Sequence, residues 1–265
     1  MKVVLIGAGN LATNLGKALF RAGHEIVQVY SRTEESACAL AEVLKCAYTT
    51  DLAAVPTSAD VFIFALADDA VERIACLLRK GREEQLFVHT AGSLHLDVLP
   101  TARRGVFYPM QSFSKDKEVD FSIIPCFVES FLKKDLELLL ALARTVSDTV
   151  YELSSNDRKY LHLAAVFCNN FANHCFALGA HLLKEHGNLP FSVMLPLIDE
   201  TASKLHVMSP HEAQTGPAKR RDKRVLEKHR MLLATKPEMG KIYELFSDSI
   251  YYDQLRLKED TCGIF

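Results

Sequence analysis

Two glycines, Gly7 and Gly9, stand directly behind the apolar run Val3-Val4-Leu5-Ile6 and ahead of Leu11, Leu15, Ala18, Leu19 and Ala22, which recur at helical spacing. A buried strand, a Gly-rich turn and a helix in that order leave free backbone N–H groups at a helix N-terminus. The helix dipole there favours an anionic phosphate. Gly7 suits the tight turn, Gly9 leaves room for a pyrophosphate, and Ala12 in the third small position lets the helix pack close on its strand. With Asn10 and Leu11 completing the turn, residues 7–12 are expected to hold a dinucleotide.

The next run, Glu25-Ile26-Val27-Gln28-Val29-Tyr30, reads as a second strand and ends in Ser31-Arg32-Thr33. A site for a free ribose 2′-hydroxyl usually carries an acid near this place. Here neither Tyr30 nor Ser31 is acidic, and the Arg32 guanidinium stands where a 2′-phosphate would lie, with the Ser31 and Thr33 hydroxyls beside it. NADP is therefore the expected cofactor. Ala65-Leu66-Ala67-Asp68 follows another strand, and its small residues suit a cofactor lying across the strand tip. Asp68 and Asp69 have a second reading, as caps of the helix that follows.

Three further side chains could handle a substrate. His89 ends the strand Leu86–His89, at the carboxyl edge of such a sheet, where it serves either structure or catalysis. His162, Asn169 and Asn173 share one face at helical pitch among apolar neighbours. They either bond to adjacent helices, face solvent, or face a substrate. On the last reading His162 supplies the proton and Asn169 orients the substrate.

These residues need a particular scaffold. Strand patterns at residues 47–49, 60–66, 105–108, 124–128 and 150–153 alternate with helical ones at 34–44, 68–78 and 132–143. The expected fold is α/β: a Rossmann-type, doubly wound, mainly parallel sheet over residues 1–153, followed by an all-α domain over 154–265. Residues 155–183 read as one long helix, then come helices near 191–205, after Pro217, and from Met239 to Leu257.

Composition excludes several classes. The 265 residues are 49% hydrophobic and 24% charged, with a formal net charge of -2, so no global field attracts nucleic acid or an anionic membrane. The cluster Lys219-Arg220-Arg221-Asp222-Lys223-Arg224 lacks interleaved aromatics. It reads as a solvated helix face, or as a contact to cofactor phosphates or an acidic substrate, rather than as a nucleic-acid site. The seven cysteines are scattered without a Cys-x-x-Cys pair, which points to reduced thiols and a cytoplasmic protein without a metal site. No run is long enough for a membrane span or a signal peptide, and Thr261-Cys262-Gly263-Ile264-Phe265 matches no lipidation signal.

Taken together, Gly7–Ala12, Ser31-Arg32-Thr33, His89-Thr90-Ala91-Gly92-Ser93, Tyr108-Pro109-Met110-Gln111-Ser112-Phe113, His162-Leu163-Ala164-Ala165 with Asn169 or Asn170, and Thr215-Gly216-Pro217 to Asp222 resemble a bacterial family across nearly the whole chain. That family joins a Rossmann-like NADP-binding domain to a C-terminal domain of unknown function 2520. It is related to deazaflavin-dependent NADP reductases and pyrroline-carboxylate reductases, within the superfamily whose C-terminal domain is like that of 6-phosphogluconate dehydrogenase. The resemblance implies an NADP-dependent oxidoreductase acting on a small substrate, with a homodimer built by the helical domain. Tyr108 stands where the family commonly has His before Pro, and Arg221 where it commonly has Gly before Asp222. The Lys-x-x-x-Asn pair of β-hydroxyacid dehydrogenases is missing, since Ala165 and Val166 precede Asn169 and Asn170 by four. These departures keep a rival open: a non-catalytic NADP(H)-binding regulatory or scaffold protein.

Overall fold

Strand β1, Lys2–Ile6, has four consecutive residues, Val3 to Ile6, that are wholly buried, because helices cover both faces of the sheet it lies in. Val3 and Leu5 point into the core on one side, with Leu15, Val29, Ile63 and Val88. Val4 and Ile6 point into the other, with Phe62, Phe64 and Phe87. Each such side chain contributes about 1.5–3 kcal/mol by burial. The computed structural model describes the backbone of residues 1–262 and the side chains of residues 1–256. Of the terminal stretch Thr261-Cys262-Gly263-Ile264-Phe265, the Thr261 and Cys262 side chains and residues 263–265 therefore lie outside the described residues.

The chain continues through α1 (Asn10–Arg21), β2 (Glu25–Tyr30), α2 (Glu34–Leu44), β3 (Ala47–Thr49), β4 (Val61–Phe64), α3 (Asp68–Leu78), β5 (Phe87–His89), β6 (Arg104–Pro109), β7 (Cys126–Ser130), α4 (Lys133–Arg144) and β8 (Val150–Glu152). The eight strands form one sheet in the order β3-β2-β1-β4-β5-β6-β7-β8. All neighbours pair parallel except β6 with β7. This is the mainly parallel, doubly wound sheet the alternating pattern predicts. Its strand order reverses between β1 and β4, the place where such sheets bind ligands.

Two compact units divide the chain, one through Phe171 and one from Ala172 onward. The first includes α5 (Ser155–Ala165), whose start is capped by the Ser154 hydroxyl accepting the Asp157 N–H, and a π-helical segment, Val166–Phe171. The second is helical: α6 (Ala172–Glu185), α7 (Leu195–Lys204), α8 (Pro210–Ala213), α9 (Pro217–Arg220), α10 (Lys223–Leu232) and α11 (Pro237–Cys262).

The single long helix expected over 155–183 is therefore corrected to two α-helices with a π segment between them. Apolar periodicity does not distinguish i→i+4 from i→i+5 hydrogen bonding over so short a run. The basic cluster is corrected too. It lies on two short helices, because Arg221 takes a left-handed φ of 51° and Asp222 caps α10. That φ explains a glycine at this position in the family, since glycine adopts it without a Cβ penalty. The Arg221 guanidinium lies 4.5 Å over the Tyr251 ring.

Candidate functional site

The nucleotide corner sits where the strand order reverses. Gly7 has φ 126°, and a Cβ there would lie 2.2 Å from the Ala65 carbonyl oxygen, so only glycine fits between the tips of β1 and β4. A Cβ on Gly9 would meet nothing within 4 Å, so the space before α1 is open. Thr13 N–H donates to Gly9 O as the first helical bond, which leaves the amides of Asn10, Leu11 and Ala12 without an intrahelical acceptor. Ala12 is wholly buried against the sheet. Close packing is also set by Gly16, where a Cβ would come within 2.9 Å of Leu5, a position the sequence pattern did not single out.

Backbone bonds carry the ladder past the strand ends: Gly7 N–H to Tyr30 O at 2.8 Å, Ala65 N–H to Ile6 O at 2.9 Å, and Thr90 N–H to Phe64 O at 3.2 Å. The loops after β2, β1, β4 and β5 are thus tied into one edge. Ser31 is half-buried with its N–H bonded to Thr49 O, and Arg32 and Thr33 are exposed beside it. Unsatisfied amides at Asn10 and Leu11 beside open space, with the exposed Arg32 guanidinium at the tip of β2, fit a phosphorylated dinucleotide.

Ala65 and Leu66 are half-buried at the tip of β4, while Ala67 and Asp68 are exposed. The capping reading of Asp68 and Asp69 is corrected, because Ala67 is the N-cap residue and no side chain caps α3. β4 ends at Phe64 rather than Leu66, so both aspartates fall inside the first turn, where they favour the helix dipole. The Asp68 carboxylate accepts instead from the Ser93 hydroxyl, joining the loops after β4 and β5.

The titratable side chains lie on the same edge. His89 is wholly buried, and its Nδ1 accepts the Ala91 N–H at 3.2 Å. Burial, and then the Arg158 guanidinium, push its pKa down to about 3. The ring is thus neutral with its proton on Nε2, which has no partner among the described residues. His162 is half-buried, and its Nδ1 lies 3.2 Å from the Tyr108 hydroxyl oxygen. Tyr108 is 8% exposed, and burial raises its pKa against an opposing effect of Arg158, so the phenol keeps its proton. Gly92 presses against both rings: a Cβ there would sit 2.5 Å from His162 Nδ1 and 3.0 Å from Tyr108 Cζ.

A cavity of about 340 Å³ opens beside this pair, with Gln111, Cys168, Asn169 and Asn170 among its lining residues together with Tyr108 and His162. The structure therefore brings His162 and Asn169 to one cavity. Asn173 lies beyond the π segment and does not line it. The shared face expected for all three is corrected for that reason, since a π segment rotates every later residue out of α register. It also places two consecutive asparagines on the same wall.

A buried ionic network holds α5 in place. Arg158, one helical turn before His162, is 1% exposed and pairs with Glu129 of β7 at 2.7 Å. It also donates to Leu94 O and to Ser155 Oγ, and Ser155 in turn donates to Glu129 and accepts the Leu96 N–H. The resemblance already marks the loops that hold Tyr108 and Gly92, though not their contact with His162; sequence reasoning missed Arg158 and Glu129 as parts of the site. The one available signal was the four-residue spacing of Arg158 and His162 on a predicted helix.

Comparisons with known proteins identify the chain's relatives. The family described as NADP oxidoreductase, coenzyme F420-dependent, matches residues 2–92, and the domain of unknown function 2520 matches residues 124–250. A Bacteroides fragilis protein, itself assigned as an NADP oxidoreductase by inference, has a crystal structure with a TM-score of 0.89 and 54% identity, covering 95% of this chain and 98% of its own. Two more distant structures share the fold alone. An imine reductase from Myxococcus stipitatus in complex with NADP+ has 13% identity, 98% and 95% coverage and a TM-score of 0.64. A pyrroline-5-carboxylate reductase from Coxiella burnetii has 18% identity, 97% coverage of both chains and a TM-score of 0.59. No curated protein matches the chain. On its near relative and its two matched segments, the chain belongs to the NADP oxidoreductase family whose Rossmann-type domain is followed by a domain of unknown function 2520.

Proposed function

We propose that this protein transfers a hydride between NADP(H) and a small substrate, with His162 managing the proton. One observation carries the reading: the amides of Asn10 and Leu11, unpaired among the described residues, and the Tyr108–His162 pair belong to one compact unit and lie at the carboxyl edge of one sheet. When bound, the nicotinamide supplies the hydride chemistry. The chain's own residues then have only to hold and orient. Gly7 and Gly9 admit the pyrophosphate, the amides of Asn10 and Leu11 bind it while Ala12 packs the helix close on its strand, and Arg32 with Ser31 and Thr33 takes the 2′-phosphate. Ala65, Leu66, Ala67 and Asp68 support the remainder of the cofactor. Asn169 orients the substrate in the cavity beside His162. His162 is the better proton group than His89, whose ring is wholly buried.

Division of labour follows the change of character after residue 153, with nucleotide on the sheet and substrate binding and dimerisation on the helices. A second copy as partner is supported by the exposed apolar side chains of the helical unit. Leu197, Val207, Met231, Leu232 and Leu245 are 64%, 80%, 70%, 73% and 68% exposed, while among its described residues only Ala218 and Leu233 are buried apolar ones. The described cysteines are unpaired, in keeping with a reducing cytoplasm.

NADPH consumption over a panel of ketones, aldehydes and cyclic imines tests the reading. His162→Ala should lower turnover by about 10²–10⁴-fold with unchanged nucleotide affinity. Wild-type turnover in that variant would remove the assignment of His162. Nucleotide binding with no turnover by the wild type would favour the non-catalytic alternative.

A further inference from the structure

The Tyr108 hydroxyl has one hydrogen-bond partner among the described residues, His162 Nδ1. Two arrangements satisfy their 3.2 Å separation. Either the phenol donates to a bare Nδ1, or a protonated Nδ1 donates to the phenol oxygen. In the second, the O–H of a residue only 8% exposed has no acceptor among the described residues and gives up a directed bond for, at most, water in the cavity it lines. Nδ1 cannot turn to a different partner, because the backbone at Gly92 closes that side: a single added carbon would sit 2.5 Å from it. One turn earlier on α5, the Arg158–Glu129 pair prevents the helix from rolling the ring away.

We propose that Tyr108 holds neutral His162 as its Nε2–H tautomer, so that the nitrogen left for the cavity is a donor and the site is built to reduce a neutral carbonyl group. The substrate-class part rests on the hydride-transfer reading above; the tautomer does not. A bare Nε2 would be required to take a proton from an alcohol, and a protonated iminium would offer it no acceptor. In the reductive step, with bound NADPH supplying the hydride and leaving as NADP+, the carbonyl carbon would gain the hydride while the Nε2–H bond breaks and the new O–H bond forms. The Tyr108 proton then moves to Nδ1, so the imidazole stays neutral; uptake of a solvent proton at Nε2 and return of the Nδ1 proton to the phenolate restore the starting tautomer. Tyr108 is thus a positioning residue for the ring and the reserve of its proton.

Long-range ¹H–¹⁵N NMR on the full-length, ¹⁵N-histidine-labelled protein without nucleotide reads the tautomer directly. His162→Gln assigns the signal by its loss. The wild type should show a pyridine-type, unprotonated Nδ1 and a pyrrole-type, protonated Nε2. Tyr108→Phe should populate both tautomers. A protonated Nδ1 in the wild type, or an unchanged tautomer population in Tyr108→Phe, would overturn the proposal. The wild-type spectrum decides the tautomer even where the variant does not fold. Failure here leaves nucleotide binding untouched, so it is distinguishable from failure of the functional reading.

Discussion

Two glycines and a histidine carry separate consequences at the residue scale. Gly7→Ala would force a Cβ to 2.2 Å from the Ala65 oxygen at a φ that alanine rarely adopts. It should cost about 2–4 kcal/mol of stability and abolish dinucleotide binding, as read by denaturant unfolding and nucleotide titration. Gly92→Ala meets the His162 and Tyr108 rings instead. That variant should bind nucleotide normally but lose at least tenfold in turnover, and normal turnover would show that the pair does not need its backbone wall. His89 affects stability through pH. Its pKa lies at about 3 in the folded protein against 6.5 ordinarily, so between those values the unfolded chain binds a proton that the native state refuses. Stability is complete above pH 6.5 and falls by about 1.4 kcal/mol per unit as pH drops toward 3. Denaturant unfolding at pH 6.5 and 5 should show the wild type losing about 2 kcal/mol more than His89→Gln over that interval. Equal losses would contradict the buried neutral ring. The glycine corner was legible because its requirements are local, a turn and a helix start. The loops of Tyr108 and Gly92 were marked by resemblance alone, and their contact with His162 was not legible, because it arises only when α5 returns across the sheet edge.

All eight strands and the first four helices were legible at the scale of elements from periodicity and Gly punctuation, with boundaries displaced by a residue or two. The π segment escaped because residues 155–185 keep an apolar rhythm that fits either helical pitch. It is also the element that puts Asn169 and Asn170 together on the cavity wall. The Arg158–Glu129 clamp escaped because its partners lie on different elements twenty-nine residues apart in sequence. Removing one partner strands a buried charge. Arg158→Met should cost about 3–5 kcal/mol, and Glu129→Leu in the same chain should return part of that loss. Additive losses in thermal or chemical unfolding would show that the two do not act as a pair.

For the whole molecule, an α/β half followed by a helical half was legible from the change of period after residue 153, while assembly was not, because a monomer's sequence does not say what covers exposed apolar side chains. The helical unit's exposed leucines and methionines predict a homodimer. Sedimentation equilibrium should return twice the chain mass of 29.6 kDa at micromolar concentration, and a monomer there would refute it. The central claim concerns the cofactor, and one titration tests it most directly: nicotinamide fluorescence of the purified protein with NADPH and with NADH, for the wild type and for Arg32→Ala. The account predicts tight NADPH binding, weaker NADH binding, and a variant whose NADPH affinity falls to the NADH level. Binding of neither nucleotide would contradict it, and the corner at Gly7 and Gly9 would then hold some other phosphate or none.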